Sequence, residues 1–116
     1  PFLIEVQALV NRSFTPNPAR KSSGIDQNRL AILLAVLEKR LGYRLYNYDV
    51  FISIAGGIKI KEPAIDAGIV AALSSSLVQT KVQSDTLLIG EVGLCGEVRA
   101  APRVESRLKE GINLGF

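Results

Sequence analysis

The 116 residues contain no histidine, methionine or tryptophan, and a single cysteine, Cys95. Without histidine, neither a Ser-His-Asp nor a Cys-His arrangement has its general base, so two large classes of hydrolase chemistry are excluded. One cysteine and no histidine leave no ligand set for a structural or catalytic zinc, and a lone thiol cannot close an internal disulfide. No metal site and no cofactor are expected within this chain. Long apolar runs are also missing: nothing approaches the ~20 residues of a membrane span. The opening Pro1-Phe2-Leu3-Ile4-Glu5 lacks the basic-then-apolar order of a secretory signal. The expectation is therefore an intracellular, cytoplasmic protein with no membrane partner. Three tyrosines and four phenylalanines are too few for an aromatic platform on which bases stack. The chain lacks an initiator methionine and stops at Gly115-Phe116 just past a helical pattern, so we expect a piece of a longer protein, truncated at both ends.

What is present is one domain's worth of globular sequence. Hydrophobic residues make up 47% and charged residues 22%, which is enough to bury a core and gives no sign of low complexity. Fourteen basic against eleven acidic side chains give a net charge of +3 and an isoelectric point near 9.3, a mild bias compatible with a polyanion-facing surface.

Residues 2–10 alternate apolar residues with Glu5 and Gln7, the pattern of a strand with one wetter face. Residues 11–23 carry Pro16 and Pro18 among Asn, Ser, Arg and Lys and follow neither period, which predicts a loop or irregular hairpin. From Ile25 to Leu41, the spacing of Leu30, Leu33, Leu34, Leu37 and Leu41 predicts an amphipathic helix capped by Ser23 or Asp26 and ended by Gly42. Tyr46 to Ile54 reads as a strand with Val50, Ile52 and Ile54 on one face, broken or bulged at Gly56-Gly57 and resuming over Ile58 to Ile60. Pro63 suits a first helical turn, and a helix is predicted from Ala64 to about Val78 or Gln79. Strands are predicted over Thr86–Ile89 and Gly96–Arg99, linked by a glycine-punctuated turn, and a last helix over Arg103–Leu114. The order β, α, β, α, β, β, α implies an α+β (mixed α/β) domain.

Few catalytic constellations survive. Ala55-Gly56-Gly57-Ile58-Lys59 has glycines and a lysine but not the spacing or the following Ser or Thr of a phosphate loop. Ser74-Ser75-Ser76 falls late in a helix, where a hydroxyl is expected to bond the preceding turn's carbonyl. Cys95, in a tight turn, reads as a small buried thiol. Asp66 and Glu105 sit where acids favour helix starts. Eight basic residues, Arg12, Arg20, Lys21, Arg29, Arg99, Arg103, Arg107 and Lys109, are candidates for phosphate contacts, with sequence-tolerant, salt-sensitive binding expected.

Three stretches carry a family resemblance: Gly24-Ile25-Asp26-Gln27-Asn28-Arg29-Leu30-Ala31, Asp49-Val50-Phe51 running to Gly56-Gly57-Ile58-Lys59, and Gly90-Glu91-Val92-Gly93-Leu94-Cys95-Gly96-Glu97-Val98-Arg99. They resemble the C-terminal, Lon-protease-like domain of the RadA (Sms) family of bacterial recombination ATPases. The resemblance implies one domain over residues 1–116 with the ribosomal-protein-S5-like fold (domain 2) of Lon proteolytic domains. Lon proteases carry a serine in a Pro-Ser-Ala-Gly segment and a lysine at the start of a later helix. Here Ile65-Asp66-Ala67-Gly68 places Asp66 at the serine's position, and the register of Gly96-Glu97-Val98 places Glu105 at the lysine's. A carboxylate is a poor nucleophile and a second carboxylate cannot replace a neutral amine, so no catalytic residues are expected.

The resemblance further implies a non-catalytic assembly and DNA-binding part of an ATPase that promotes branch migration in homologous recombination and DNA repair after DNA damage. The family's missing N-terminal parts would bring a zinc finger and an ATP-binding core, hence Zn, ATP and Mg. Partners would be single-stranded and branched DNA, further copies in a hexamer, and a recombinase of the RecA type, in a bacterium or, by inheritance, a plant organelle. Two other functions remain open: a Lon-type serine peptidase with an unrecognised nucleophile among Ser22, Ser23 and Ser74 to Ser76, and an RNA-binding module of the same fold.

Overall fold

A computed structural model describes residues 3–55 and 59–116. Five strands and three helices follow one another as β1 (Val6–Arg12), β2 (Arg20–Ser23), α1 (Gln27–Leu41), β3 (Tyr48–Ile54), α2 (Asp66–Val78), β4 (Glu91–Val92), β5 (Val98–Arg99) and α3 (Val104–Asn113), with a single 3-10 turn at Pro63–Ile65 leading into α2. The architecture is α+β, as the alternating periods imply.

The main sheet has the order β1-β3-β2. β3 takes the centre because Val50, Ile52 and Ile54 are all buried on its inner face. β1 runs antiparallel to it, with Val10 opposite Val50, and β2 runs parallel, with Ser22 opposite Ile52. Against the inner face α1 contributes Leu30, Leu33, Leu34 and Leu37, and α2 contributes Ile69 and Leu73. At ~25 cal/mol per Å² of apolar area removed from water, these interlocked leucines and β-branched residues are the main driving force of the fold.

α1 starts and stops as its sequence prescribes. The Asp26 carboxylate accepts from the Asn28 amide at 3.2 Å, and Gly42 closes the helix at φ 71°, a backbone conformation that suits glycine.

Four expectations need correction. β2 lies inside the predicted loop; Arg-Lys-Ser-Ser has no apolar alternation because an edge strand needs only its backbone to pair, and charge on it guards the edge. The first strand begins at Val6, although the Ala55 amide still donates to Glu5 O at 3.0 Å. Thr86–Ile89 is not a strand: the Thr86 amide closes a turn onto Gln83 O, and Leu87 packs beside Gly111 of α3, so its hydrophobicity serves packing and not a ladder. The late hairpin is shorter than predicted, pairing Glu91 with Arg99 and Val92 with Val98. The break expected at Gly56-Gly57, and Ile58, lie outside the described residues. Ile60 forms one parallel bridge with Ile25.

Candidate functional site

Between the end of β2 with the first turn of α1 and the segment leading into α2 lies a cleft of about 860 Å³. Its lining includes Ser22, Gln27 and Arg29, Lys59, Lys61 and Glu62, and Asp66. Asp66 is the first residue of α2 and is 0% exposed, the one buried charged side chain among the described residues.

A carboxylate withdrawn from water needs compensation from partners. Arg29, in the first turn of α1, provides it. Its Nε donates to Asp66 Oδ1 at 3.0 Å and its Nη2 to Oδ2. The same Nη2 donates to Val92 O at 3.0 Å, while the Val92 amide donates to Asp66 Oδ2 at 3.0 Å. Both edges of the Val92 peptide strand are thus held by one ion pair. The hydrogen bond to Asp66 raises the Arg29 pKa above the ordinary guanidinium value, against the opposing effect of burial. No buried side-chain nitrogen or oxygen among the described residues is left without a partner.

Chemically, this carboxylate accepts three hydrogen bonds, one on Oδ1 and two on Oδ2. Glu105, in the first turn of α3, is exposed and lines a different, shallower groove with Arg103, Ser106 and Lys109. The two positions matched to the Lon dyad therefore open onto separate grooves.

The serines have other partners. Ser22 Oγ donates to Ile25 O at 2.9 Å, Ser75 Oγ donates to Thr80 O at 2.6 Å, and Ser76 Oγ accepts from the Val10 amide at 2.8 Å. Helix-interior hydroxyls were expected to bond the preceding turn; instead Ser75 ties the helix end and Ser76 ties α2 to β1, because both lie where the chain turns or meets the sheet. Cys95 is exposed at the β4–β5 turn, not buried: the neighbouring Gly96 lies against the Arg40 side chain, while residues 94–99 are open to solvent. Among the described residues no group of three or more His, Cys, Asp or Glu side chains is placed to hold a metal ion.

The eight basic candidates divide. Arg12, Lys21, Arg103 and Lys109 are exposed and take part in no ion pair among the described residues. The other four have internal duties: Arg29 holds Asp66, Arg20 donates to Leu45 O, Arg99 pairs with Glu97 at 3.0 Å, and Arg107 pairs with Glu62 while donating to Pro102 O at 2.9 Å.

Arg103 has a property no sequence pattern announces. It is left-handed at φ 56° and occupies the N-cap of α3 without a side-chain cap. That conformation costs a non-glycine residue roughly 1–2 kcal/mol, and a cation at a helix N-terminus opposes the helix dipole.

No protein-family profile matches the chain. Curated relatives do. The DNA repair protein RadA of Bacillus subtilis is 49% identical over the whole chain, that of Chlamydia pneumoniae 52% identical over 98% of it, and that of Pseudomonas aeruginosa 50% identical over all of it. The chain spans about a quarter of the length of these relatives, 25%, 25% and 26% respectively. No helix among the described residues is long and apolar enough to cross a membrane.

Proposed function

We propose that this chain, which belongs to the RadA family of DNA repair proteins, is a non-catalytic DNA-binding and assembly domain. Its parent would be an ATPase that promotes branch migration in homologous recombination and repair. Its fold is read as the S5-like fold of Lon proteolytic domains, with Asp66 and Glu105 as the degenerate dyad. ATP, Mg and Zn would belong to the rest of such a protein. Its partners would be single-stranded and branched DNA, further copies in a hexamer and a RecA-type recombinase in the bacterial cytoplasm.

Arg103 carries the DNA part of this reading. A residue held in a sparsely populated conformation, with its charge at the less favourable helix end, persists where something other than local stability selects it. Exposed and outside every ion pair among the described residues, its guanidinium is available to a phosphate. Arg12, Lys21 and Lys109 join it as exposed cations, and the internally bonded Arg20, Arg29, Arg99 and Arg107 contribute less.

The test separates function from stability. Arg103→Gly relieves the left-handed strain, so the domain should keep or gain stability in urea while binding DNA more weakly. In filter binding, removing one cation that neutralises a phosphate should lower the slope of log affinity against log salt by about 0.7–0.9. Lys39→Glu, on the outer end of α1, should matter little. Affinity that is unchanged in Arg103→Gly and in the charge reversals of Arg12, Lys21 and Lys109, or that survives high salt, would remove DNA from the domain's roles.

The serine-peptidase reading has the hydrogen-bonded Ser22, Ser75 and Ser76 against it, since none of these serines donates to a lysine. Absence of casein and peptide hydrolysis is the expected result, and turnover abolished by replacing one serine would reverse it.

A further inference from the structure

The β4–β5 hairpin has little of its own to hold it. Its strands are two residues each, residues 94–99 are all exposed, and Leu94 and Val98 are 71% and 68% exposed. Yet its turn is closely ordered. The Gly93 amide donates to Glu97 O at 2.9 Å, the Gly96 amide to Gly93 O at 2.9 Å, and the Cys95 amide to Glu97 Oε1 at 3.1 Å. An ordered turn that exposes Leu94 and Arg99 presents a fixed surface only if its base is fixed to the body.

The base is Val92. Its side chain is buried in the core cluster, and its N–H and C=O are held by Asp66 and Arg29, which come from two different helices. We propose that the Arg29–Asp66 pair is an anchor that positions the β4–β5 hairpin, so that Asp66 is a positioning residue for the hairpin's exposed residues. The pair spans α1, α2 and β4 at one point, and its three-way geometry needs the planar guanidinium: one edge for the carboxylate, the remaining hydrogen for the Val92 carbonyl. Two backbone links at Gly90, its amide to Ala64 O at 3.0 Å and its carbonyl from the Ala67 amide at 3.1 Å, fix the chain just before β4, and beyond them Gly96 at the tip lies against the aliphatic stem of Arg40 without a hydrogen bond to it among those of the described residues. Val92 is where side-chain hydrogen bonds next tie the chain to the helices.

The consequence for DNA binding rests on the reading proposed above, but the anchor itself does not. The experiment is amide hydrogen exchange on the full chain and on Asp66→Asn, Arg29→Lys and the core variant Leu33→Ala. Arg29→Lys keeps the charge and loses the fork, so it carries the test if Asp66→Asn does not fold. Exchange at residues 92–99 should accelerate by about tenfold or more in the anchor variants, with a much smaller change in β1 and β3, since local opening is separable from global unfolding. Hairpin amides that exchange at the unsubstituted rate in Arg29→Lys would overturn the proposal. So would equal acceleration of hairpin and β3, the pattern expected of Leu33→Ala. DNA affinity is read on the same variants. A loosened hairpin with weaker binding supports the anchor and places the hairpin on the DNA surface; a loosened hairpin with unchanged binding supports the anchor and places DNA elsewhere.

Discussion

One carboxylate, Asp66, lies entirely out of solvent at the first residue of α2. Asp66 is fully buried and doubly bonded to Arg29, and breaking a buried pair leaves an uncompensated charge. Asp66→Ala should therefore lose about 3 kcal/mol in urea unfolding, the low end of the range for such breaks because the Arg29 side chain stays 28% exposed. Replacing both by apolar residues, Arg29→Met with Asp66→Leu, should lose less than Asp66→Ala alone. The sequence places Asp66 at a helix start, and the resemblance to Lon domains implies a nucleophile's position for it, but its partner lies in another helix, and an arginine in a helix's first turn carries no signal of what it will meet. Arg29 is accordingly legible only as a surface cation.

Glu97 shows a second residue-scale effect. Its hydrogen bond with Arg99, with added backbone donors, lowers its pKa below the ordinary glutamate value. Between the lowered folded pKa and the unfolded value of about 4.3, the unfolded chain binds more protons, so stability rises with pH there. The contribution is present above the unfolded value and disappears as acid titrates the folded group. The amide signals of Gly93 and Cys95 should shift with an apparent pKa below that of a free glutamate, and Glu97→Gln should abolish the transition.

At the scale of elements, legibility tracks periodicity. α1 could be read nearly residue by residue because Leu30, Leu33, Leu34 and Leu37, the Asp26 cap and the Gly42 stop agree, whereas Leu41, at the helix end, is exposed. β2 could not, because a four-residue polar edge strand is specified by the groove it pairs into and not by its side chains. Thr86–Ile89 misleads for the opposite reason: it is apolar where a helix packs close. There Leu87 lies over the Gly111 backbone, an added Cβ falling 2.3 Å from Leu87 Cδ2, so a larger residue would require Leu87 to shift. α2 ends on Gln79 at φ 55°, a left-handed residue with a Cβ. Gln79→Gly should thus stabilise the domain by about 1 kcal/mol, read as a higher Tm, and Gly42→Ala at φ 71° should cost a similar amount.

The whole molecule is slightly more extended than its length requires. Its radius of gyration is 14.1 Å with extents of 46 × 29 × 26 Å, against about 13 Å for a compact chain of this size. The core cluster ends at Val92, whereas Leu94, Val98, Leu108, Ile112, Leu114 and Phe116 are exposed along the last quarter of the chain. Apolar residues that the core does not use favour association. Light scattering should detect weak, concentration-dependent self-association, and Ile112→Lys, at a side chain 69% exposed, should reduce it without lowering Tm. A strict monomer at high concentration would leave assembly to other parts of a RadA-type protein.

The one cysteine of the chain lies at the turn of the β4–β5 hairpin and is exposed. A maleimide dye would attach there with a stoichiometry of one and without any engineered substitution, on the element whose orientation Arg29 and Asp66 are proposed to set. The unmodified protein thus carries its own attachment point for a fluorescent reporter, and the depolarisation of that dye would follow the swing of the hairpin in real time.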